Sequence, residues 1–189
     1  MMFFLFIGFI IIQRLTELAI ARKNEKWMKS QGGLEFGSGH YPAMVMIHSA
    51  FILSTIAEVV ILDRELSAFW PLLIVLFVLT QLMRVWALLS LGPFWNTKII
   101  VLPGAKVVKK GPYRFIKHPN YVIVALELIV IPLMFNAYWT AAVFTLLNMI
   151  ILSVRIPEEE KALASLTQYE KEFHDNGRFI PNLLNKYDN

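Results

Sequence analysis

Two short polar segments contain most of the side chains that could do chemistry. The first, GPYRFIKHPNY (residues 111–121), combines cations, hydrogen-bond donors and flat rings. The second, RIPEEEKAL (155–163), has an arginine followed by consecutive glutamates. A helix that begins near Pro119 would offer free N–H groups beside the first segment, and these could hold an anionic ligand group. The glutamates of the second segment could hold an ammonium group.

Each segment also has an ordinary structural interpretation, which the sequence leaves open. The first could be a stiff turn beside a membrane, where basic and aromatic side chains are common. Glu158 and its neighbours could simply complement the dipole of a helix that starts at Pro157. If the helix instead continues through this proline, Asn148, Arg155 and Glu159 share one of its faces.

The elements that position these segments are expected to be membrane helices. The chain of 189 residues is 57% hydrophobic and only 17% charged. Several apolar runs approach or exceed the ~18 residues that cross a bilayer. We predict an all-α, polytopic integral membrane protein with about five transmembrane helices and a cytoplasmic C-terminal helix. The predicted spans are about 2–21, 43–62, 69–90, 120–135 and 138–155, and the C-terminal helix covers about 157–174.

We predict a single membrane domain over residues 1–189. Its N-terminal part, 1–90, contains three helices, and its remainder, 91–189, contains a long loop, a helical hairpin and the C-terminal helix. The fourth and fifth spans are joined only by FNAYW, so they form the hairpin. Because hairpin partners run side by side, the two polar segments at their far ends must be neighbours.

The cations are distributed unevenly between the two ends of the predicted spans. Of the 18 lysines and arginines, all lie in loops or the tail on one side, except Arg64 on the other side and Arg14 and Arg84 within spans. Because positively charged loops stay in the cytoplasm, we predict that both large loops and the C-terminus face inward and that the N-terminus lies outside.

Several kinds of site are excluded by the residue types. The chain has no cysteine, which excludes disulfides, thiolate nucleophiles and cysteine-ligated metals. Its four histidines lack the spacing of metal ligands, so we predict no metal site. Sequence motifs of phosphate loops, dinucleotide folds, zinc proteases and serine hydrolases are also missing.

Polar residues inside membrane spans are costly and are functional candidates by default. Glu127 lies seven residues after Asn120 and therefore shares its helix face two turns deeper. Gln81 and Arg84 are three residues apart and share a face of the third span. We therefore treat Glu127 as a candidate catalytic residue.

Other intramembrane polar residues have structural interpretations. His48 stands alone in the second span, where we expect a buried, hydrogen-bonded structural histidine. Arg14 and Glu17 are read as a local pair one turn apart. Glu58 lies near the outer end of its span and is expected to reach water.

Taken together, these motifs resemble the isoprenylcysteine carboxyl methyltransferase family, membrane enzymes that use S-adenosylmethionine. The family motifs are GxYxxxRHPxY, an Arg-x-x-x-Glu-Glu-x-x-Leu segment, a closing pair of tyrosines and Arg-x-x-Pro. Here Lys117 replaces the arginine before His-Pro, and Phe173 replaces the second tyrosine. The upstream LGPFWNTKIIVLPGAKVV is similar to bacterial members. The resemblance covers about residues 88–181.

The resemblance implies an S-adenosylmethionine pocket built by both polar segments. The implied cofactor-binding residues are Val108, Gly111, Tyr113, Arg114, His118, Pro119, Tyr121, Glu159 and Glu160. Arg155 and Arg178 are expected near the reacting groups and join Glu127 as candidate catalytic residues.

The implied reaction is methyl transfer to an oxygen, either a carboxylate or an enol or phenol, of a lipophilic acceptor in the membrane. The short length of this protein favours a small-molecule acceptor, such as a polyketide with a long alkyl chain, over a prenylated protein. A prenylated compound and phospholipid amines remain open, and so does N-methylation. The expected partners are this acceptor and membrane lipids, without nucleic acid, in a bacterial cell membrane.

Two other functions stay open from the sequence. A membrane reductase of the steroid or sterol reductase type would bind NADPH through a clamp for its 2′-phosphate. The paired Glu159 and Glu160 disfavour that anion. A membrane scaffold without enzyme activity would bind neither nucleotide.

Overall fold

Long helices dominate the computed structural model, which describes residues 1–181. Four of them are long and apolar enough to cross a membrane, and a shorter apolar helix lies among them. This confirms the predicted polytopic membrane fold. The helices are α1 (Met2–Ser30), α2 (Tyr41–Ile61), α3 (Trp70–Leu91), α4 (Pro119–Leu133), α5 (Tyr138–Leu166) and α6 (Tyr169–Glu172).

The shorter helix α4 packs between α3 and α5. Buried apolar side chains from α1 to α5 form the main core around it, among them Ile7, Phe51, Phe77, Ile131 and Phe144. Because burial of such side chains stabilises packing, this core fixes the hairpin of α4 and α5. The first polar segment precedes α4 and the second lies in the last turns of α5. They meet at the end of the bundle away from the α4–α5 link, which we call the site end.

A small antiparallel sheet at the site end was not predicted. Strand β1 (Leu34–Phe36) pairs with β2 (Ile99–Val101), so that Glu35 lies opposite Ile100. Each strand has only three residues, and the pairing joins two loops that are far apart in the sequence. The strict all-α prediction therefore missed it, because so short a strand carries no periodic signal. Side chains of β2 pack against Ala162 of α5 and hold the long loop there.

Helix α5 continues through Pro157 to Leu166, so the predicted separate helix at 157–174 is wrong. A proline inside a helix removes one backbone hydrogen bond, which usually favours a break. Here the helix is anchored on both sides of the proline, by Arg155 and by buried Ala162. The chain breaks only at Thr167, whose backbone is extended, and α6 follows as a single turn.

Glu58 does not reach water, contrary to the prediction. It is 8% exposed, and its carboxylate accepts hydrogen bonds from the backbone N–H groups of Trp139 and Thr140 at 3.2 and 2.7 Å. These N–H groups belong to the first turn of α5, where backbone donors lack partners within the helix. The carboxylate of α2 therefore caps α5 and complements its dipole.

Candidate functional site

Three side-chain contacts join the polar segments at the site end, two of them through glutamates. His118 Nε2 lies 3.0 Å from Glu160 Oε1, and the hydroxyl of Tyr121 donates to Glu159. His118 immediately precedes α4 and Tyr121 lies in its first turn, whereas both glutamates lie near the end of α5. The hairpin thus brings the two segments together, as the sequence analysis expected.

Arg155 connects this pair of helices to the long loop. Its Nε donates to the hydroxyl of Tyr121 at 2.7 Å, and its Nη2 donates to the backbone carbonyl of Thr97 at 2.7 Å. The arginine is 4% exposed. The hydroxyl of Tyr121 is therefore held between a cation and the carboxylate of Glu159, which fixes all three groups.

A cavity of about 500 Å³ starts beside these contacts and runs into the bundle. Because α5 continues through its proline, Asn148, Arg155 and Glu159 all line this cavity from one helix face. The predicted site residues that line it are Val108, Tyr113, His118, Tyr121, Glu127, Arg155 and Glu159. The predicted residues outside its lining are Gly111, Arg114, Pro119, Glu160 and Arg178.

Gly111 and Pro119 have structural reasons for their identity. Gly111 has φ +55°, and a Cβ atom there would lie 1.9 Å from Ser90 Oγ and 2.9 Å from Trp86 Nε1 of α3. Only glycine fits this close approach without strain. Pro119 is the first residue of α4, where its missing N–H costs no helical bond.

Arg114 lies away from the cavity that the resemblance assigned it to. Its side chain is exposed. Its backbone carbonyl accepts a hydrogen bond from Asn176 Nδ2 at 2.9 Å. The local turn therefore fixes the backbone of Arg114 and directs its guanidinium away from the cavity.

The tail folds back on the first polar segment. The backbone N–H groups of Lys117 and His118 donate to the carbonyls of Gly177 and Arg178 at 3.0 and 3.1 Å. The Arg178 Nη2 donates to Glu160 Oε2 at 2.6 Å. Arg178 thus holds Glu160, which in turn contacts His118, and its own side chain stays half-exposed at the surface.

An ionic network lies deeper in the bundle, around Glu127 of α4. Its carboxylate accepts hydrogen bonds from Arg84 Nε at 3.0 Å and Gln81 Nε2 at 2.7 Å, and it also contacts Arg14. Glu17 bridges the same two arginines. Two cations thus face two anions, which lowers the cost of charge inside a membrane. The predicted Arg14–Glu17 pair is confirmed, as part of a larger network.

Aromatic side chains form one wall of the cavity. Tyr113, Tyr169 and Phe173 pack together with their rings buried, and all three line the cavity. Burial raises the pKa of the Tyr113 hydroxyl well above its ordinary value, and the nearby carboxylate of Glu159 adds to this. Burial likewise raises the pKa of Tyr169. Both phenols therefore stay neutral at physiological pH.

Two polar atoms at this wall lack protein partners within residues 1–181. They are the hydroxyl of Tyr169 and Oδ1 of Asn120, both buried in residues that line the cavity. Buried polar atoms normally have a hydrogen-bond partner, so each is a candidate contact for a bound molecule. From the sequence, Asn120 was recognised only as sharing a helix face with Glu127. The closing aromatic pair was the signal that could have added Tyr169.

Sequence similarity relates the chain to one family of known proteins. The model of the isoprenylcysteine carboxyl methyltransferase (ICMT) family matches residues 72–165. The chain is 49% identical over 162 residues to the uncharacterized protein YpbQ of Bacillus subtilis (strain 168), covering 86% of this chain and 96% of that protein. It is 27% identical over 158 residues to an uncharacterized protein of Haemophilus influenzae, covering 83% and 92%. The family match spans α4 and nearly all of α5.

Proposed function

Because the chain belongs to the isoprenylcysteine carboxyl methyltransferase family and is a membrane methyltransferase, we propose that it transfers the methyl group of S-adenosylmethionine to an oxygen of a lipophilic acceptor. The observation that supports this most strongly is the joined cluster of His118, Tyr121, Arg155, Glu159 and Glu160 beside one deep cavity. A ligand with opposite charges and a flat ring system matches that chemistry.

The residues present fit S-adenosylmethionine group by group. Its ammonium group matches the carboxylate of Glu159, and its carboxylate matches the guanidinium of Arg155. Its adenine matches the aromatic wall of Tyr113 and Tyr169, whose unpartnered hydroxyl offers a hydrogen bond. When bound, this molecule supplies an activated methyl group on a positively charged sulfur.

The side chains of the cluster act mainly by positioning. Arg155 donates to the hydroxyl of Tyr121, which donates to Glu159 and holds its carboxylate in place. Arg178 holds Glu160 against His118. Fixed partners reduce the entropy lost when the reacting atoms are aligned. The buried setting also limits water, which would favour loss of the charge on the methyl donor's sulfur during the transfer.

The rest of the cavity supports a lipophilic acceptor. Beyond the polar cluster it is lined by apolar side chains from several helices, including Ile10, Phe51, Leu128 and Ile131. We favour a long-chain enol or phenol over a carboxylate or a prenylated compound. Glu127 lies at this deeper level and remains our candidate for a residue close to the acceptor.

We also propose a bacterial cell membrane as the location, with the site end in the cytoplasm and the N-terminus outside. The concentration of lysines and arginines at the site end supports this orientation.

A labelling experiment tests the proposed function. Membranes that contain the protein are incubated with S-adenosylmethionine labelled on its methyl group and with a bacterial lipid extract. We expect a labelled lipid that is lost when Glu159 is changed to glutamine and kept when exposed Glu170 is changed likewise. The proposal would be contradicted if wild-type membranes gave no labelled product, or if the Glu159 variant labelled lipid as strongly as the wild type.

A further inference from the structure

The cavity contains a polar side chain that the proposed function has not used, His48 of α2. This histidine lines the cavity together with Arg14, Glu127 and Asn148. His48 lies seven residues into α2 from its start at the site end, and Glu127 lies eight residues into α4. At 1.5 Å per residue both are ~10–12 Å deep, so they share one level of the membrane.

The protonation pattern of the His48 ring is fixed by its backbone contact. Nδ1 lies 2.8 Å from the carbonyl oxygen of Met44, one turn earlier in the same helix. A carbonyl only accepts hydrogen bonds, so Nδ1 must carry the proton in this contact. In the neutral ring Nε2 is then left with a free lone pair and acts as an acceptor.

The charged groups near His48 pair with one another and leave the Nε2 lone pair available as an acceptor. The charged groups close enough to His48 to interact with it electrostatically include Arg14 of α1, Arg84 of α3 and Glu127 of α4. Both arginines donate to the carboxylate of Glu127. Glu17 completes the network and balances its charge. His48 supplies an acceptor on the cavity wall that is not already paired with an arginine.

A side opening between α1 and α2 leads to this level. Leu15 of α1 and Val45 of α2 line the cavity, yet they are 60% and 45% exposed on the outer surface of the bundle. Ser49 beside His48 is also both exposed and part of the lining. Within the described chain α1 and α2 share few close contacts. An apolar chain in the bilayer can therefore reach His48 without passing through water.

We infer that His48 Nε2 receives the hydroxyl group of the acceptor, so that the acceptor is a neutral hydroxyl compound, of the enol or phenol class, with an apolar chain between α1 and α2. The inference rests on the proposed function and makes it more specific. A hydroxyl group donates a hydrogen bond to the lone pair, whereas an ionised carboxylate has only acceptor oxygens and is repelled by it.

The chemical step balances with this assignment. The acceptor O–H bond breaks, and its proton moves to His48 Nε2. The acceptor oxygen forms a bond to the methyl carbon, while the bond from that carbon to sulfur breaks and its electron pair stays on sulfur. The products are a methyl ether and S-adenosylhomocysteine, and the imidazolium ring returns its proton to water after release.

Two matched compounds test the inference. 4-Dodecylphenol and 4-dodecylbenzoic acid share ring and chain and differ in the reacting group. Binding of each to the full protein in nanodiscs, with S-adenosylhomocysteine present, is measured by calorimetry, and methyl transfer is measured with labelled S-adenosylmethionine. We compare the wild type with His48→Phe, His48→Gln and the control His174→Phe, which makes the same change at an exposed site outside the cavity lining.

We expect the wild type to prefer the phenol for binding and methylation. His48→Phe should weaken phenol binding about tenfold, the typical effect of losing one hydrogen bond in a buried site. His48→Gln should retain most of the binding, because its amide still accepts a hydrogen bond, and should lose turnover, because it cannot take a proton. His174→Phe should match the wild type. S-adenosylhomocysteine binding should stay unchanged in all variants.

The outcomes that overturn the inference are distinct from failure of the proposed function. Preference for the benzoic acid, binding of neither compound, or unchanged phenol binding in His48→Phe would each overturn it. If the phenylalanine variant does not fold, unchanged turnover in His48→Gln would do so. Failure of S-adenosylhomocysteine to bind the wild type would instead contradict the proposed function. The phenol-binding results would still support or overturn the contact with His48.

Discussion

His118 and Glu160 are 42 residues apart in the sequence and meet at 3.0 Å across the α4–α5 hairpin. The contact joins the residue before α4 to the last turns of α5, and Arg178 holds Glu160 from the other side. The site that we propose depends on this contact.

Glu159→Gln should weaken S-adenosylhomocysteine binding about tenfold. The substitution removes the charge that we assign to the ammonium group but keeps the size of the side chain and its contact with Tyr121. Calorimetry in detergent measures the dissociation constant, and Glu170→Gln on the exposed surface of α6 is the matched control. Equal affinities in the two variants would remove Glu159 from the cofactor site.

Arg178→Ala should weaken S-adenosylhomocysteine binding only about threefold, because a half-exposed ion pair contributes little free energy. The arginine acts through Glu160 and does not line the cavity. Arg178→Lys should recover most of the loss, since it restores the charge. A loss of turnover with full cofactor affinity would instead favour direct contact with the acceptor.

Glu127→Ala should destabilise the protein by about 3–5 kcal/mol, because it leaves Arg14 and Arg84 with only the carboxylate of Glu17 to balance them inside the membrane. Thermal unfolding in detergent measures the loss. Replacing Glu127 and Arg84 together by alanine should cost less than the sum of the single changes. Additive costs would show that the network does not hold the helices. A stable but inactive Glu127→Gln variant would favour its catalytic role.

Gly111→Ala should destabilise the site end by about 1–3 kcal/mol, since its Cβ atom would collide with Ser90 and its φ of +55° is strained for alanine. Gly8→Ala in α1 is the control, because a Cβ atom there meets nothing within 4 Å. The melting temperatures of the two variants should therefore differ clearly. Equal values would mean that the loop relaxes away from α3.

The strand pair at the site end should loosen in acid. The hydrogen bond from Lys29 holds the pKa of Glu35 below its ordinary value. A lowered folded-state pKa means that the carboxylate stabilises the fold fully above the ordinary value, and that this is lost as pH falls through the folded-state pKa. Because the pair is exposed at the surface, we expect a small effect.

Hydrogen exchange of the β1 amides, followed from neutral pH to below pH ~4, measures this loosening. In Glu35→Gln the β1 amides should be less protected from exchange at neutral pH, and their protection should change little with pH. The same pH dependence in wild type and variant would assign it to another group.

Much of the fold and the site was predictable from the sequence. The apolar runs predicted the membrane helices, and the short link between the last two runs predicted their hairpin. This adjacency brought His118 and Tyr121 to Glu159 and Glu160. The pairing succeeded because a hairpin leaves little freedom for the far ends of its helices.

Other features depend on contacts between distant segments, which local patterns do not reveal. Pro157 suggested a helix boundary, yet tertiary anchors on both sides keep α5 continuous. Glu58 suggested a surface carboxylate, yet the start of α5 lies within its reach. The motif at 111–121 assigned Arg114 to the cofactor, but the turn after Gly111 directs that side chain elsewhere. His48 could be recognised as a cavity residue only once the helices were packed.

The most direct test of the account is calorimetry of the purified wild-type protein in detergent with S-adenosylhomocysteine and, separately, with NADPH. We predict saturable binding of S-adenosylhomocysteine at one site per chain and no binding of NADPH. Binding of NADPH alone would contradict the methyltransferase site and favour a reductase, and binding of neither nucleotide would favour a protein without this enzyme activity.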